Sequence, residues 1–383
     1  RKEGKHSHST LKISNAGQEP INLALRELIN RFIYRSDKHL RMKLIIIIID
    51  FINNISLTEV RISMRNRRME LFGKVIPVPC LVIFWSLFFG FFACSEAWAE
   101  QQVTHAMGTT RVQKTVRVVT LFQGATDSVV ALGIRPVGVV DSWAEKPTYR
   151  YLRSSLQGVA HVGLETQPNL EVIAALQPDL IIGARSRHEK IYSQLSAIAP
   201  TVFADNVYDF EHTLDLVAEA TGREQEKAQL WHQWQARVTA FRSQLKKHIP
   251  DWPATASVID VRSDHLRLYL QQSFAGTVLT SIGFQLPHPA GASGWGVKLK
   301  SKEALPTLNA DVFFVILHSD APAVRQNYQS WRLHPLWKIL KAPKHHQVYL
   351  ADRTSWLLSG GILGANLMLG QLSEMYHLNS SAL

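Results

Sequence analysis

Between residues 116 and 377, short apolar runs alternate with stretches whose apolar positions recur every three or four residues. The runs at 116–121, 137–140, 180–183, 256–261, 266–270, 311–317 and 347–350 predict strands, and 311–317 is the most strongly apolar of them. Helical spacing covers 127–132, a segment starting at Pro168-Asn169-Leu170-Glu171, 274–282 closed by Gly283, a segment capped by Ser301-Lys302-Glu303, 331–340, and 362–376. The longest periodic stretch is 210–248, with Leu214, Val217, Leu230, Trp231, Trp234, Val238, Phe241 and Leu245 on one face. Thr221-Gly222 interrupts it and Asp251-Trp252-Pro253 ends it, because proline cannot continue a helix. The fold class expected is α/β, with two lobes of mainly parallel sheet bridged by one long helix. A crossover helix inside one large domain is the alternative.

In parallel sheets, ligands bind beyond the carboxyl ends of the strands, so the loops there hold the candidates. In the first lobe these loops carry Gln123, Trp143, Arg185 and Arg187. The two arginines, in Ala184-Arg185-Ser186-Arg187-His188-Glu189, follow a buried strand, where paired N–H donors can grip an anion; a solvated loop is the plainer reading. His188 reads as a loop or cap residue, since no second histidine or carboxylate stands beside it at metal-ligand spacing. In the second lobe, Arg262, Arg267 and Tyr269 lie near a strand connection, Trp295 in the glycine-rich stretch 290–296, His318 and Arg325 after the strongest strand, and Trp356 on a loop before the last helix. His345-His346 are adjacent and point apart, so they read as surface.

Charge and the leader change the picture. The formal charge of +11 suggests nucleic acid, but residues 1–99 hold 15 Lys and Arg against 8 Asp and Glu, and the rest holds 27 against 23. The excess therefore belongs mostly to the leader, and nucleic acid is set aside. Residues 64–99 read as a signal peptide: Arg65, Arg67, Arg68 and Lys74, an apolar run, then Ala97-Trp98-Ala99 as the cleavage site before Glu100. Two other readings stay open, lipid anchoring through Cys94 in Phe92-Ala93-Cys94, and an uncleaved anchor. Both cysteines, Cys80 and Cys94, lie in this leader, which suits a thiol-free mature chain in an oxidising compartment. Residues 1–63, which start with arginine and carry an isolated apolar patch at 44–49, are expected to be a non-native or disordered extension. The expected organisation is then 100–208 as the N-terminal lobe, 209–250 as the linking helix and 251–383 as the C-terminal lobe.

No phosphate-binding loop, nucleophile elbow, zinc-protease or paired-cysteine motif occurs. Gly360-Gly361-Ile362-Leu363-Gly364 is not a dinucleotide fingerprint, because it follows no buried strand and its glycines are wrongly spaced. No nucleophile, base and orienting residue can be assembled, so an enzyme is not expected.

Residues 111–377 resemble the periplasmic siderophore-binding proteins of ABC transporters, the family that includes ferric-citrate-, ferric-hydroxamate- and vitamin B12-binding proteins. The resemblance is carried by the run from Gln167-Pro168-Asn169-Leu170-Glu171 to Pro178-Asp179-Leu180-Ile181-Ile182, and by Ser186-Arg187-His188, Tyr192, Leu195 and Ile198-Ala199-Pro200. Further carriers are Gly276-Thr277-Val278-Leu279, Ser281-Ile282-Gly283, Glu303, Pro335-Leu336-Trp337 and Trp356, and Ser186-Arg187-His188 looks most like the ferric-citrate branch. The resemblance implies a class III, helix-bridged binding protein, monomeric and periplasmic, with no intrinsic cofactor and no chemistry. It would capture a ferric siderophore of citrate or carboxylate/hydroxamate type for an inner-membrane permease and its ATPase; haem or cobalamin is the alternative ligand. Iron would be held by the siderophore and not by protein ligands. Expected ligand contacts are Arg185, Arg187, Arg262, Arg325 and Trp356, then Trp143, Tyr269, Trp295 and His318. Arg185 departs from the ferric-citrate pattern and would imply a larger or more anionic ligand. Glu189 and Glu303 are the expected permease-docking residues, although both also fit ordinary helix-start carboxylates.

Overall fold

The computed structural model describes residues 61–65, 68–72, 101–113, 115 and 117–378. The chain divides into two compact units, Arg1–Glu96 and Ala97–Leu383. Of the first, only an antiparallel hairpin is described, β1 (Arg61–Arg65) with β2 (Arg68–Phe72). The readings of an extension, a signal peptide, cleavage at Ala99 and acylation at Cys94 otherwise lie outside the described residues.

The second unit opens on a hairpin, β3 (Gln101–His105) and β4 (Gly108–Val112), and continues into two sheets. The first has the order β10-β9-β5-β6-β7-β8, from β5 (Val118–Thr120), β6 (Gly138–Asp141), β7 (Ala160–Leu164), β8 (Gln167–Pro168), β9 (Leu180–Ala184) and β10 (Thr201–Ala204). All pairings but β7–β8 are parallel. The second has the order β13-β12-β11-β14-β15, from β11 (Ala256–Val261), β12 (Leu266–Tyr269), β13 (Gly296–Leu299), β14 (Val312–Leu317) and β15 (Val348–Ala351). Here β11, β14 and β15 run parallel, while β12 and β13 turn back antiparallel. The apolar runs explain this arrangement. Every residue of β9 and β11 is buried, as in strands covered on both faces, where alternation is lost.

The long periodic stretch folds as two helices. Helix α5 (Phe210–Thr221) is capped by Asp209, whose carboxylate accepts from the His212 N–H at 3.0 Å. Gly222 stops it with φ +63°, and the Arg223 N–H closes onto the Ala218 carbonyl at 2.8 Å. Helix α6 (Glu224–His248) then runs 25 residues, about 37 Å at roughly 1.5 Å per residue. Its acidic first turn and basic last turn match the helix dipole. Trp234, Val238, Phe241 and Leu245 form its buried face. The Trp234 ring meets Phe210 edge-on, and Arg242 Nε donates to the Ile282 carbonyl at 2.8 Å, so the rod is tied both to α5 and to the second lobe. One apolar cluster runs from Val118 and Phe122 of the first lobe through Phe241 to Phe314 and Trp356 of the second. Lobes that share a core have little freedom to swing apart.

One local difference from the sequence reading has a plain cause. The helix expected at 331–340 is preceded by a longer one, α8 (Pro322–Arg332), which starts on a proline at its first turn, where the missing N–H is harmless. The last helix, α11 (Ile362–Met375), packs back onto α1 (Gln123–Ala131) of the first lobe. Asp127 of α1 does this work: its carboxylate accepts from the Leu363 and Gly364 N–H groups at 2.8 and 3.0 Å, and from Tyr151 Oη at 2.9 Å. Burial pushes the Asp127 carboxyl up to about 6, against these three hydrogen bonds. Among the described residues no helix is long and apolar enough to cross a membrane.

Candidate ligand-binding cleft

The carboxyl ends of the parallel strands in both sheets face one cavity of about 360 Å³. The first-lobe wall is Phe122, Gln123 and Gly124 after β5, Trp143 after β6, Glu165 after β7, Arg187 after β9, and Val207 and Tyr208 after β10. The second-lobe wall is Arg262 after β11, Arg267 and Tyr269 on β12, Trp295 before β13, His318 after β14, and Arg353 with residues 357–360 after β15. In the first sheet the strand order reverses at β5, which opens a crevice there.

Glu165 organises the first wall. It is buried, and its two oxygens accept from Arg187 Nε and Trp143 Nε1, each at 3.2 Å. Burial raises its carboxyl above the usual range, outweighing Arg187, Trp143 and the Gln123 backbone N–H. His188 ties this loop down from behind. Its Nδ1 accepts from the Ala184 N–H at 3.0 Å, so Nε2 carries the proton and donates to the Glu165 carbonyl at 2.7 Å. Burial lowers His188 to about 4, so it stays neutral, and with both ring nitrogens hydrogen-bonded it is a clip inside the turn.

Asp260 organises the second wall. Its Oδ2 accepts from Arg262 Nε at 2.8 Å and Tyr269 Oη at 3.4 Å, while His318 Nδ1 lies 3.3 Å from Oδ1. Burial pushes this carboxyl up, but His318 and Arg262 more than offset that and leave it below the usual range. Trp295 stacks between the lobes. Its ring centroid lies 5.2 Å from Tyr208 of the first lobe and 5.7 Å from Tyr269, with the Arg267 guanidinium 4.8 Å from the ring. Arg353 donates to the His318 carbonyl. Four arginines therefore face the cavity against two carboxylates, and neither Arg267 nor Arg353 pairs with an acidic side chain among the described residues.

The cavity brings together six of the residues expected from sequence: Trp143, Arg187, Arg262, Tyr269, Trp295 and His318. Three others stand apart from it. Arg185 points away to pair with Asp205 on the surface. Arg325 is exposed on α8, 3.9 Å from Asp320. Trp356 is fully buried 4.6 Å from the Phe314 ring, its Nε1 donating to Gln371 Oε1 at 2.5 Å, so it is core and not ligand wall. Glu189 and Glu303 are exposed at the surface. Sequence reasoning missed Glu165, Tyr208 and Arg353, and passed over Arg267. Arg353 stands just beyond β15, so the strand-end rule reaches it. Arg267 shares its strand with Tyr269 two residues on, which puts both on one face. Nothing in the local sequence marks Glu165, whose partners are 22 residues away on either side.

Asp127 and His188 titrate with opposite effects on stability. Native Asp127 keeps its proton up to about pH 6 against 3.8 for an ordinary aspartate, so its contribution falls as pH rises through that window. Native His188 stays neutral down to about pH 4 against 6.5, so its contribution falls as pH drops through the same region. The two slopes partly cancel in the wild type. Asp127→Asn is expected to expose the acid loss, with unfolding free energy falling between pH 6 and 4 by about 2 kcal/mol more than in the wild type. Urea melts across that range check this; parallel curves would refute the assignment.

A two-lobed body whose lobes share a core and turn cationic and aromatic side chains toward one cleft defines a ligand-binding protein. Residues 118–354 match the periplasmic binding protein family, and the chain belongs to it. It is 50% identical over 261 residues to the achromobactin-binding periplasmic protein of Dickeya dadantii (strain 3937), covering 68% of this chain and 86% of that protein. It is 30% identical over 280 residues to the Fe(3+) dicitrate-binding periplasmic protein FecB of Escherichia coli (strain K12), covering 70% and 88%. In structure it is similar to Staphylococcus aureus SirA complexed with staphyloferrin B, with a TM-score of 0.70 and 39% identity, covering 73% of this chain and 99% of that one.

Proposed function

We propose that this chain is the periplasmic substrate-binding component of an ABC importer, and that it captures a ferric siderophore of citrate or carboxylate type. The observation that carries the reading is the cleft's charge: four arginines from both lobes face it, and only two buried carboxylates answer them. A ferric chelate with free carboxylates supplies the missing negative charge, and guanidinium forks match carboxylate geometry. Trp143, Tyr208, Tyr269 and Trp295 cover the ligand's apolar edges. The siderophore holds the iron; among the described residues no cluster of three or more His, Cys, Asp or Glu is placed to bind a metal. The names of the similar proteins support the same ligand class.

In this reading the protein has no enzymatic role and works as a monomer. Residues 100–208 and 251–383 are the two lobes and 209–250 the linker. Glu189 and Glu303, exposed one on each lobe, meet the inner-membrane permease, whose ATPase drives release. The test is tryptophan fluorescence of residues 100–383 titrated with ferric citrate, ferric staphyloferrin B, a ferric catecholate, haem and cobalamin. Saturable quenching by a ferric carboxylate chelate, and none by its iron-free form, is the expected result. A response only to haem or cobalamin, or to nothing, sinks the ferric-siderophore reading.

A further inference from the structure

Each wall of the cleft has an acidic residue where simple charge matching would put none. Glu165 is 4% exposed and Asp260 fully buried, while the side chains in front of them are open: Arg187 at 33%, Arg262 at 27%, His318 at 34%. Both carboxylates take the arginine by Nε, the inner edge of the guanidinium. Each also accepts from at least one further cleft side chain, Trp143 Nε1 on Glu165 and Tyr269 Oη on Asp260, and His318 Nδ1 lies 3.3 Å from Asp260 Oδ1. The two walls thus repeat one plan on unrelated loops: a carboxylate behind, a guanidinium and a ring in front.

We propose that Glu165 and Asp260 are positioning residues of the ligand site, acting through Arg187 and Arg262, so that each lobe presents one guanidinium already oriented for an anionic ligand. A free arginine side chain has many rotamers, and fixing it on binding is unfavourable. A carboxylate that grips Nε fixes the rotamer beforehand and keeps the guanidinium plane turned outward. The inference rests on the ferric-carboxylate reading of the cleft. It also runs against the naive electrostatic expectation, in which removing a negative charge from the cavity would tighten the binding of an anion.

The experiment is a double-mutant cycle on affinity for ferric citrate and ferric staphyloferrin B, read by tryptophan quenching, with thermal melts as the fold control. Glu165→Gln keeps the shape but turns an amide N–H toward one of its two donors. It is expected to weaken binding about tenfold, the size of one charge-assisted hydrogen bond. In an Arg187→Ala background the same change is expected to cause no further loss and to recover part of the affinity, because its route through the guanidinium is gone and the unpaired carboxylate then only repels the anion. An equal loss in both backgrounds assigns Glu165 a merely structural role and overturns the proposal, and so does unchanged or tighter binding by Glu165→Gln. Asp260→Asn with Arg262→Ala is the independent second cycle, informative even if a Glu165 variant fails to fold. There the loss is expected to be at least halved in the Arg262→Ala background, since Arg262 Nε is the shortest contact of Asp260. A wild type silent toward both chelates sinks the ligand reading and this inference with it; a binding wild type whose cycles are additive sinks the inference alone.

Discussion

Replacing Arg187 with alanine is expected to weaken binding of the ferric carboxylate chelate by about 2–5 kcal/mol, roughly 30-fold to several thousand-fold in Kd. Two effects add. The ligand loses a guanidinium that stands on the first wall of the cleft. Glu165 loses its cation while still buried, and an unpaired buried carboxylate next to an anionic ligand is unfavourable. Arg187→Lys should recover only part of the loss, because an ammonium restores the charge without the planar fork or the Nε contact to Glu165. Titration of the three proteins by fluorescence checks this. Parent-like affinity in Arg187→Ala would remove Arg187 from the site and leave the arginines of the second wall to carry the ligand alone.

The second large effect falls on stability. Trp356→Ala is expected to lower the unfolding free energy by about 3–5 kcal/mol, the range for emptying the place of a buried aromatic. Trp356 is fully buried, packs on Phe314 and hydrogen-bonds Gln371 of α11, so its removal opens the core that the two lobes share. Trp356→Phe keeps the ring contact with Phe314 and should leave chelate affinity within about twofold, since a core residue outside the cavity adds little to ligand contact. Urea melts and titrations on the same preparations separate the two. A tenfold loss of affinity in Trp356→Phe with little loss of stability would return this tryptophan to the ligand wall.

These two residues show where sequence reasoning stops. Arg187 and Trp356 are alike in one dimension, each on a segment just beyond a parallel strand. A strand-end position selects a loop, but it does not say which way a side chain in that loop points. Arg187 turns inward to Glu165, while Arg185, two residues earlier, turns outward to Asp205. The four-residue helix Arg185–His188 makes the difference: residues two apart on a helix point to opposite sides. Trp356 likewise sits in a wide helical turn, Thr354–Leu358, that rotates its ring into the core and leaves Leu357 and Leu358 to the cleft.

What the sequence by itself determined is the frame. Hydrophobic periodicity distinguishes strand from helix because it follows from backbone geometry alone, and so it placed the buried strands, the long helical stretch with its break at Gly222, and the alternation that makes two α/β lobes. Six of the nine expected contacts then line the cleft. Only the tertiary structure decided which charges are paired. Glu165 meets Arg187 and Trp143 across 22 residues of chain, and Asp127 caps α11 across more than 230. A hydrogen bond depends on distance in space, and nothing in the local pattern around either carboxylate reports which distant group folding will bring to it.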